Sequence, residues 1–215
     1  MLGIIIDTSV FQDRMVNQMT EVIGISGSPR AGGNTDILLS QFLKGVMKAG
    51  LKTEKIFLRD YSIQPCIGCE QCRKSKRCRR FQDGMQLLYP KIEESKGIVV
   101  GSPTYNYNVT PWIKIFIDRL YQYYDVTDDR PRRFSSRLAG QGRRGIVFAV
   151  CEQVEESYRG YTLEAMRRPL EDLGYEITCE FPAIGFFDRS AVSEDHKLLQ
   201  LALQKGLELG MRLKM

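Results

Sequence analysis

Short hydrophobic runs alternate along this chain with longer stretches in which apolar side chains recur every three or four positions. The runs predict buried strands, and the longer stretches predict amphipathic helices. Strands that alternate with helices pair in parallel, because right-handed crossovers return each strand to the same sheet. The strands are expected at residues 21–28, 52–59, 97–103, 145–151 and 175–186.

A predicted helix follows most of these strands. Asn34 is expected to cap the first helix, which Gly50 ends, and Thr110 with Pro111 to begin the third. The third reaches about residue 124, and the others are expected at about 83–95, 155–173 and 193–213. This order favours an α/β fold with a doubly wound, flavodoxin-like, five-stranded parallel sheet of order 2-1-3-4-5 and helices on both faces. In that topology ligands bind beyond the carboxyl ends of the strands, between strands 1 and 3.

The amino-acid composition indicates a globular protein. The 215 residues are 43% apolar and 27% charged, which is ordinary for a globular protein. No linker-like stretch divides them, so we expect one domain at residues 20–215, preceded by an N-terminal extension at residues 1–19. No apolar run approaches the ~18 residues of a membrane-spanning helix, and the first residues do not resemble a secretory signal. A cytoplasmic protein with reduced thiols and no membrane association is therefore expected.

Positive charge is concentrated in two segments. Residues 73–80 contain six Lys or Arg and residues 130–144 contain six Arg, with no acidic residue in either, although the net charge of the chain is only +5. The rest of the chain is therefore acidic. Charge placed in this way indicates anionic partners at particular places. The alternative is that both segments are solvated loops.

The sequence SGSPRAGGNT, residues 26–35, is a glycine-rich loop between the first strand and its helix. Backbone N–H groups and the helix dipole favour a phosphate at such a place. The loop is not a P-loop, because Gly33 and Asn34 stand where that motif needs Lys and Ser or Thr. A phosphate monoester could be held by hydroxyl, amide and guanidinium groups at Ser26, Ser28, Arg30, Asn34 and Thr35. The alternative is a glycine-rich turn that binds nothing.

Four of the six cysteines, Cys66, Cys69, Cys72 and Cys78, lie in residues 66–80, a cysteine segment that is expected as a loop. A structural zinc site usually has two cysteine pairs separated by a long spacer. These cysteines instead form overlapping C-x2-C steps, as in the bacterial ferredoxin run, although the last gap is longer and Arg79 replaces the proline. One 4Fe-4S cluster held by all four is the simplest hypothesis, with zinc and redox-active thiols as alternatives. Cys151 and Cys179 fall in predicted strands and are expected to be buried small hydrophobes.

Three motifs occur in the order GISGSPRAGGNT, CIGCEQC and GSPTYNYNVTPWIKIFIDRL. Together they resemble the NADPH-dependent FMN reductase-like flavoproteins, and the iron-sulfur flavoproteins among them, over roughly residues 21–124. The resemblance implies that the first loop holds the phosphate of FMN. It also implies that the flavin ring lies against the loop after strand 3, at Pro103, Thr104, Tyr105 and Asn106. The family further implies a homodimer or homotetramer, in which a cluster approaches a neighbouring subunit's flavin.

The second loop is also a plausible ring site on its own chemistry. Its backbone amides can hydrogen-bond to the polar edge of a flavin, and its tyrosines can cover an aromatic face. The alternative is that Tyr105 and Tyr107 cover the core. No catalytic acid, base or nucleophile is evident, since the one histidine, His196, is expected at the surface.

The function expected from the sequence is an FMN-dependent oxidoreductase that couples FMN to a 4Fe-4S cluster, with NAD(P)H or ferredoxin as the donor. Residues 73–80 would offset the charge of the cluster and dock an acidic electron carrier such as ferredoxin. One alternative is an NAD(P)H-dependent FMN or quinone reductase without a cluster, in which residues 130–144 hold a nucleotide phosphate. Another is a small electron carrier without enzymatic activity. Nucleic acid is not an expected partner, because no nucleic-acid-binding motif accompanies the basic segments.

Overall fold

The computed structural model of the protein describes residues 20–215, and the extension expected at residues 1–19 lies outside the described residues. Seven strands are present in the described part: β1 Val22–Ser26, β2 Thr53–Phe57, β3 Gly97–Pro103, β4 Tyr124–Val126, β5 Phe134–Ser136, β6 Arg144–Cys151 and β7 Glu176–Ile184. Five of them form one parallel sheet in the order β2-β1-β3-β6-β7. In numbers of the main strands this is 2-1-3-4-5, so the predicted flavodoxin-like order is confirmed.

The described residues form six α-helices: α1 Asn34–Lys48, α2 Gln71–Ser75, α3 Met85–Glu94, α4 Pro111–Arg119, α5 Thr162–Asp172 and α6 His196–Leu213. All of them except the short helix α2 cover the sheet. The apolar side chains of α1 and α6 form one core against the sheet, around Phe42 and Phe148. Those of α3, α4 and α5 form a second core on the other face, around Phe116 and Tyr123. Within the described residues, no helix is long and apolar enough to cross a membrane.

Two glycines let α1 and α6 pack with their backbones in contact. A Cβ atom placed on Gly45 would lie 2.0 Å from the carbonyl oxygen of Leu203, and one on Gly206 would lie 1.9 Å from that of Phe42. Side chains at either position would force the helices apart. The crossing fixes the C-terminal helix over the first βα unit.

Two helices are shorter than expected, and one small sheet was not expected at all. The third predicted helix ends at Arg119, and after a 3-10 turn at Leu120–Tyr123 the chain forms β4, which pairs antiparallel with β5. The fourth predicted helix begins at Thr162, after a separate 3-10 turn at Glu156–Arg159. The cysteine segment, expected as a loop, contains the short helix α2. These elements have too few residues to show a hydrophobic period.

Candidate functional site

The loops after β1 and β3 meet at the carboxyl edge of the sheet. The backbone N–H of Gly27 donates to the carbonyl oxygen of Gly101 at 2.8 Å. The hydroxyl of Thr110 donates to the carbonyl oxygen of Gly27, also at 2.8 Å. Thr110 directly precedes α4, but its side chain joins the two loops and does not cap the helix. The contact holds the two predicted binding loops at a fixed separation.

A pocket opens between these loops. Of the nine residues predicted to bind the cofactor, the pocket is lined by Ser28, Arg30, Asn34, Thr35, Pro103, Thr104 and Tyr105. Ser26 and Asn106 are not part of this lining. Ser26 is fully buried, and its hydroxyl donates to the carboxylate of Asp36 at 2.6 Å. Asn106 is exposed, in the turn beyond Tyr105.

The first loop is shaped by a buried ion pair that the sequence did not reveal. Asp36 accepts hydrogen bonds from Ser26, from the backbone N–H of Gly32 at 2.9 Å, and from both terminal nitrogens of Arg59. Arg59 also donates to the carbonyl oxygen of Ser28 at 3.1 Å. The ion pair therefore holds Ser26 and Ser28 at the start of the loop and Gly32 near its end. Arg59 comes from the turn after β2, so only the folded chain brings it to Asp36.

Asn34 has a different role from the predicted cap. The residue before α1 is Gly33, and no side chain caps the helix. The amide of Asn34 donates to the carbonyl oxygen of Asp188 at 2.9 Å, and its oxygen accepts from the backbone N–H of Val192 at 3.1 Å. Asn34 thus ties the start of α1 to the loop after β7, and its backbone N–H is the part of the residue left to face an anion.

The far wall of the pocket comes from the ends of β6 and β7, which the sequence analysis did not include. It consists of Val150, Glu152, Phe186, Phe187 and Arg189. The guanidinium of Arg30 donates to the carbonyl oxygen of Phe187 at 3.0 Å and lies 5.0 Å from the centre of its ring. These residues follow the same rule as the predicted ones, because every parallel strand ends at this edge. Topology was the signal that could have found them.

The loop after β3 continues into a tight turn. Tyr105 and Asn108 exchange backbone hydrogen bonds at 2.8 and 3.0 Å, and the two residues between them, Asn106 and Tyr107, have φ values of 47° and 64°. Both central residues are left-handed, as in a type I′ turn, and such a turn leaves their amides outside its own hydrogen bonds. Gly160 approaches the turn so closely that a Cβ atom there would lie 2.3 Å from the carbonyl oxygen of Tyr107. Tyr105 is 42% exposed, so it does not serve as core.

The donors around the pocket suit a phosphate. Thr35 is a buried hydroxyl residue in the first turn of α1, where helix amides have no partner within the helix. Ser28 is a buried hydroxyl residue of the loop before α1, and its oxygen accepts from the backbone N–H of Arg30 at 3.2 Å. Arg30 and Arg189 add positive charge at the mouth of the pocket. Hydroxyls, free amides and guanidinium groups are the donors that bind a dianionic phosphate.

The four clustered cysteines line a second pocket. Cys66, Cys69, Cys72 and Cys78 all contribute to its wall. Cys66 and Cys69 are exposed, and the other two are half-buried. Burial raises the pKa of the Cys72 thiol, and its three neighbouring thiols raise that pKa further. Among residues 20–215, no set of three or more His, Cys, Asp or Glu side chains is placed to hold one metal ion.

The two basic segments, far apart in the sequence, meet beside this second pocket. Arg132 pairs with Glu70, and Arg73 pairs with Asp128 at 2.6 Å. Arg137 donates to the carbonyl oxygen of Lys76 at 2.9 Å. The β4–β5 hairpin is therefore the support on which the cysteine segment rests. Part of the basic charge is neutralised by these contacts.

Two further residues at the second pocket were missed by the sequence analysis. Arg119, at the end of α4, is buried and pairs with Asp83 at 2.6 Å. Burial opposes ionisation of both groups, but their hydrogen bonds more than offset it, so the pKa of Asp83 lies below its usual value and that of Arg119 above. Both groups are therefore charged.

Cys151 is buried, as expected, whereas Cys179 is half-buried.

One arginine of the second basic segment is structural. Arg143 is 3% exposed, and its guanidinium donates to the carbonyl oxygens of Ile92, Glu93 and Ser95 at 2.6–2.8 Å. These are the last carbonyls of α3 and the residue after it. Arg143 is thus not placed to hold a nucleotide phosphate.

Known proteins of one family share the stretch of sequence that contains both loops. The sequence pattern of the NADPH-dependent FMN reductases matches residues 20–152. The chain belongs to this family. A protein of Bacillus subtilis named as an NAD(P)H-dependent FMN-containing oxidoreductase is 31% identical to this family member over 164 residues, or 67% of this chain and 84% of the other.

Other relatives of this family member carry the name iron-sulfur flavoprotein. One from Methanocaldococcus jannaschii is 41% identical over 99 residues, which are 46% of this chain and 51% of that protein. The chain thus spans about half the length of the curated relatives it matches. Among solved structures, a flavone reductase superimposes with a TM-score of 0.66 at 15% identity, over 91% of this chain and 63% of the other. At that identity the likeness supports the fold alone.

Proposed function

We propose that the protein binds FMN between the loops after β1 and β3 and acts as a flavin-dependent oxidoreductase. The observation that carries the proposal is the single pocket into which both predicted loops converge. A bound FMN supplies the exchange of either one or two electrons, so the protein's own work is binding, orientation and tuning. Its membership of the FMN reductase family supports the same activity.

The phosphate of FMN is assigned to the first loop. Ser28, Thr35 and the first amides of α1 donate to it, and Arg30 balances its charge from the mouth of the pocket. Ser26 and Asn34 act indirectly, because their side chains are engaged with Asp36 and with the loop after β7. The carboxylate of Asp36 does not repel the phosphate strongly, since Arg59 neutralises it.

The flavin ring is assigned to the second loop. Pro103, Thr104 and Tyr105 form the wall that one face or edge of the ring would contact. The amides of Asn106 and Tyr107 lie in the turn that follows, where they are able to donate to a carbonyl or nitrogen of the ring. Glu152, on the opposite wall, sets a negative charge there. The open side of the pocket leaves room for a nicotinamide or another electron donor.

We assign one 4Fe-4S cluster to Cys66, Cys69, Cys72 and Cys78. Four thiols in overlapping C-x2-C steps around one pocket suit an iron-sulfur cluster better than a structural zinc site, which usually has two cysteine pairs separated by a long spacer. The names of the archaeal relatives support this assignment. With both groups present, the protein would exchange two electrons with one partner through FMN and single electrons with another through the cluster.

Two other functions follow if the cluster is absent. An NAD(P)H-dependent FMN or quinone reductase needs only the first pocket, and the relative from Bacillus subtilis supports this candidate. A small electron carrier needs the flavin but no binding of NAD(P)H. Oxidation of NAD(P)H by the purified protein, with quinone or free FMN as acceptor, separates the reductase from the carrier.

The surface around the second pocket suits an acidic partner. Lys74, Arg77, Arg79 and Arg80 are exposed, whereas Arg73 and Lys76 are engaged in ion pairs. An acidic electron carrier such as ferredoxin would be steered to this surface. We further propose that the protein is a cytoplasmic homodimer or homotetramer, and nucleic acid is not an expected partner. Binding that weakens as salt concentration rises, measured with reduced ferredoxin, tests the steering.

The first experiment is anaerobic purification followed by an absorption spectrum and assays for flavin, iron and sulfide. Flavin bands with a broad shoulder near ~400 nm and about four irons per chain are expected. Cys78→Ser should lose the iron, whereas Cys179→Ser, outside the cluster segment, should keep it. Flavin without iron would leave the simple reductase, and protein without flavin contradicts the proposal as a whole.

A further inference from the structure

Arg119 is a buried arginine in the wall of the pocket that the four cysteines line. Its side chain is 2% exposed. Arginine is almost never fully buried unless it is paired. Asp83 supplies the pairing charge, so the guanidinium and the carboxylate together form a neutral unit next to the thiols.

The hydrogen bonds of Arg119 fix the direction of its fork. One terminal nitrogen donates to the carbonyl oxygen of Gln64 at 2.7 Å and to Asp83 at 2.6 Å. The other donates to the second oxygen of Asp83 at 3.2 Å and to the sulfur of Cys78 at 3.6 Å. The bidentate pairing with Asp83 sets the plane of the guanidinium, and the remaining N–H of that second nitrogen is directed at the sulfur.

Cys78 is held more firmly than the other three cysteines. Its backbone N–H donates to the side-chain oxygen of Gln122 at 2.8 Å, and its carbonyl oxygen accepts from the side chain of Gln86 at 3.1 Å. Its thiol packs at the margin of the core, whereas Cys66 and Cys69 are exposed. The position of this sulfur is thus set by the protein before anything is bound.

The contact with sulfur is what separates a functional role from a structural one. A residue that served only to join α4 to Gln64 and Asp83, which flank the cysteine segment, would need the bonds to these two residues alone. A neutral thiol is a weak acceptor, whereas a thiolate that binds iron is a strong one. The buried surroundings strengthen that hydrogen bond, because little water competes for the donor.

We propose that Arg119 is a positioning residue for the cluster, which donates a hydrogen bond to the Cys78 ligand and raises the reduction potential of the iron. The inference rests on the cluster assigned in the proposed function. Reduction adds one electron from an external one-electron donor, breaks no bond and moves no proton, and Arg119 keeps its charge throughout. The reduced form carries more negative charge on sulfur, so the hydrogen bond from Arg119 stabilises it more than the oxidised form.

The test is a reductive titration of the loaded protein with dithionite and mediators, followed by EPR of the reduced cluster. At a fixed applied potential, Arg119→Gln is expected to lower the ratio of reduced to oxidised cluster about tenfold, which is about 59 mV for one electron. Arg119→Lys keeps the charge but loses the fork, so it is expected to lower the ratio by a smaller factor. Arg79→Gln is the matched control, because Arg79 lines the same pocket but is exposed. Its ratio should stay within about twofold, since water screens its charge.

A second measurement starts from the wild-type protein, so its main result does not depend on whether a variant folds. Pulsed EPR of reduced wild-type protein labelled with nitrogen-15 in its arginines should show a coupling from one guanidinium nitrogen. Arg79→Gln should keep this coupling and Arg119→Lys should lose it. Wild-type protein that loads a cluster but shows no arginine coupling overturns the inference alone, as does an Arg119→Lys potential equal to that of the wild type. Folded wild-type protein that takes up no iron overturns the cluster of the proposed function and this inference with it.

Discussion

At the scale of single residues, the loop after β1 contains side chains that face the pocket and other side chains that hold the loop in place. Ser28 and Thr35 are buried but line the pocket, whereas Ser26 is turned toward Asp36. All three are hydroxyl residues of one short motif. Their sequence shows that hydroxyls are available, and only the folded chain shows which of them face outward.

Thr35→Val tests the assignment of the phosphate. The substitution keeps the shape of the side chain and removes its donor, so we expect FMN to bind about tenfold more weakly, the value of one hydrogen bond to a charged group. Riboflavin, which lacks the phosphate, should bind within about twofold of its wild-type affinity. Quenching of flavin fluorescence measures both.

The control for this variant is Thr178→Val, which makes the same change in β7, where the hydroxyl donates to the carbonyl oxygen of Gly145. It should leave the binding of both flavins unchanged. Equal weakening of FMN and riboflavin by Thr35→Val would contradict the assignment.

Arg143 shows how a residue's role depends on where its chain segment lies. Arg143 belongs to a basic segment of the sequence, yet its guanidinium donates hydrogen bonds to carbonyl oxygens at the C-terminal end of α3. Arg143→Met leaves several buried carbonyl oxygens without donors, so we expect the free energy of unfolding to fall by about 3 kcal/mol. Urea denaturation followed by circular dichroism measures this change.

Arg144→Met is the neighbouring control, because Arg144 pairs with the exposed Glu176. It should change the free energy of unfolding by less than about 1 kcal/mol. The KM for NADPH should stay unchanged in Arg143→Met protein that remains folded. A specific rise in that KM, with stability intact, would return the residue to nucleotide binding.

At the scale of elements, the β4–β5 hairpin is the support of the cysteine segment. Glu70 accepts hydrogen bonds from Arg132 in the hairpin and from Arg73 in α2, and these bonds hold the pKa of Glu70 below its usual value despite some desolvation. One carboxylate thereby joins the two basic segments. The hairpin also supplies the carbonyl oxygen of Val126, which accepts from Arg73 at 3.1 Å.

Glu70→Gln should loosen the cysteine segment with little effect on the rest of the fold. Glutamine is neutral, so Arg73 and Arg132 lose their ionic partner. We therefore expect faster hydrogen exchange in residues 71–78 and faster cleavage by trypsin after Arg73 or Lys74. Glu156→Gln is the control, since Glu156, like Glu70, pairs with an arginine three residues further along the chain, at a site away from the cysteines. Equal exchange rates in wild type and Glu70→Gln would show that the hairpin does not restrain the segment.

The main strands and helices could be predicted because each is long enough to show its period. β3 and β6 are continuous hydrophobic runs, as expected for strands covered on both faces. The three-residue strands β4 and β5 show no such pattern, and their hairpin contacts the cysteine segment, which lies far from it in the sequence. The site followed the same division: the loops adjoining β1 and β3 were found from local motifs, whereas Arg59 and Arg119 act across 23 and 41 positions of sequence.

At the scale of the whole molecule, α6 closes the fold by packing against α1 through Gly45 and Gly206. Alanine is the better helix former by about 1 kcal/mol, so Gly206→Ala would stabilise an unpacked helix. In this crossing its Cβ would meet the backbone of Phe42, and we expect a net loss of about 3 kcal/mol. Thermal unfolding should show a clear fall in midpoint.

Gln204→Ala, on the exposed side of the same helix, is the control and should change the stability by less than about 0.5 kcal/mol. A rise in the midpoint for Gly206→Ala would mean that the two backbones are farther apart than described here. Such a result would also place the C-terminal helix differently over the sheet.

The exposed position of Cys66 and Cys69 has a consequence for how the protein is made. Both hydrophobic cores are complete without the cysteine segment, which contributes only Cys78 to their margin. If the proposed cluster is present, the newly synthesised chain does not need its iron in order to fold, and delivery of the metal can follow translation. On the proposed function we expect the protein in iron-starved cells to persist as a folded form that carries flavin but no cluster, and to take up the cluster when iron returns.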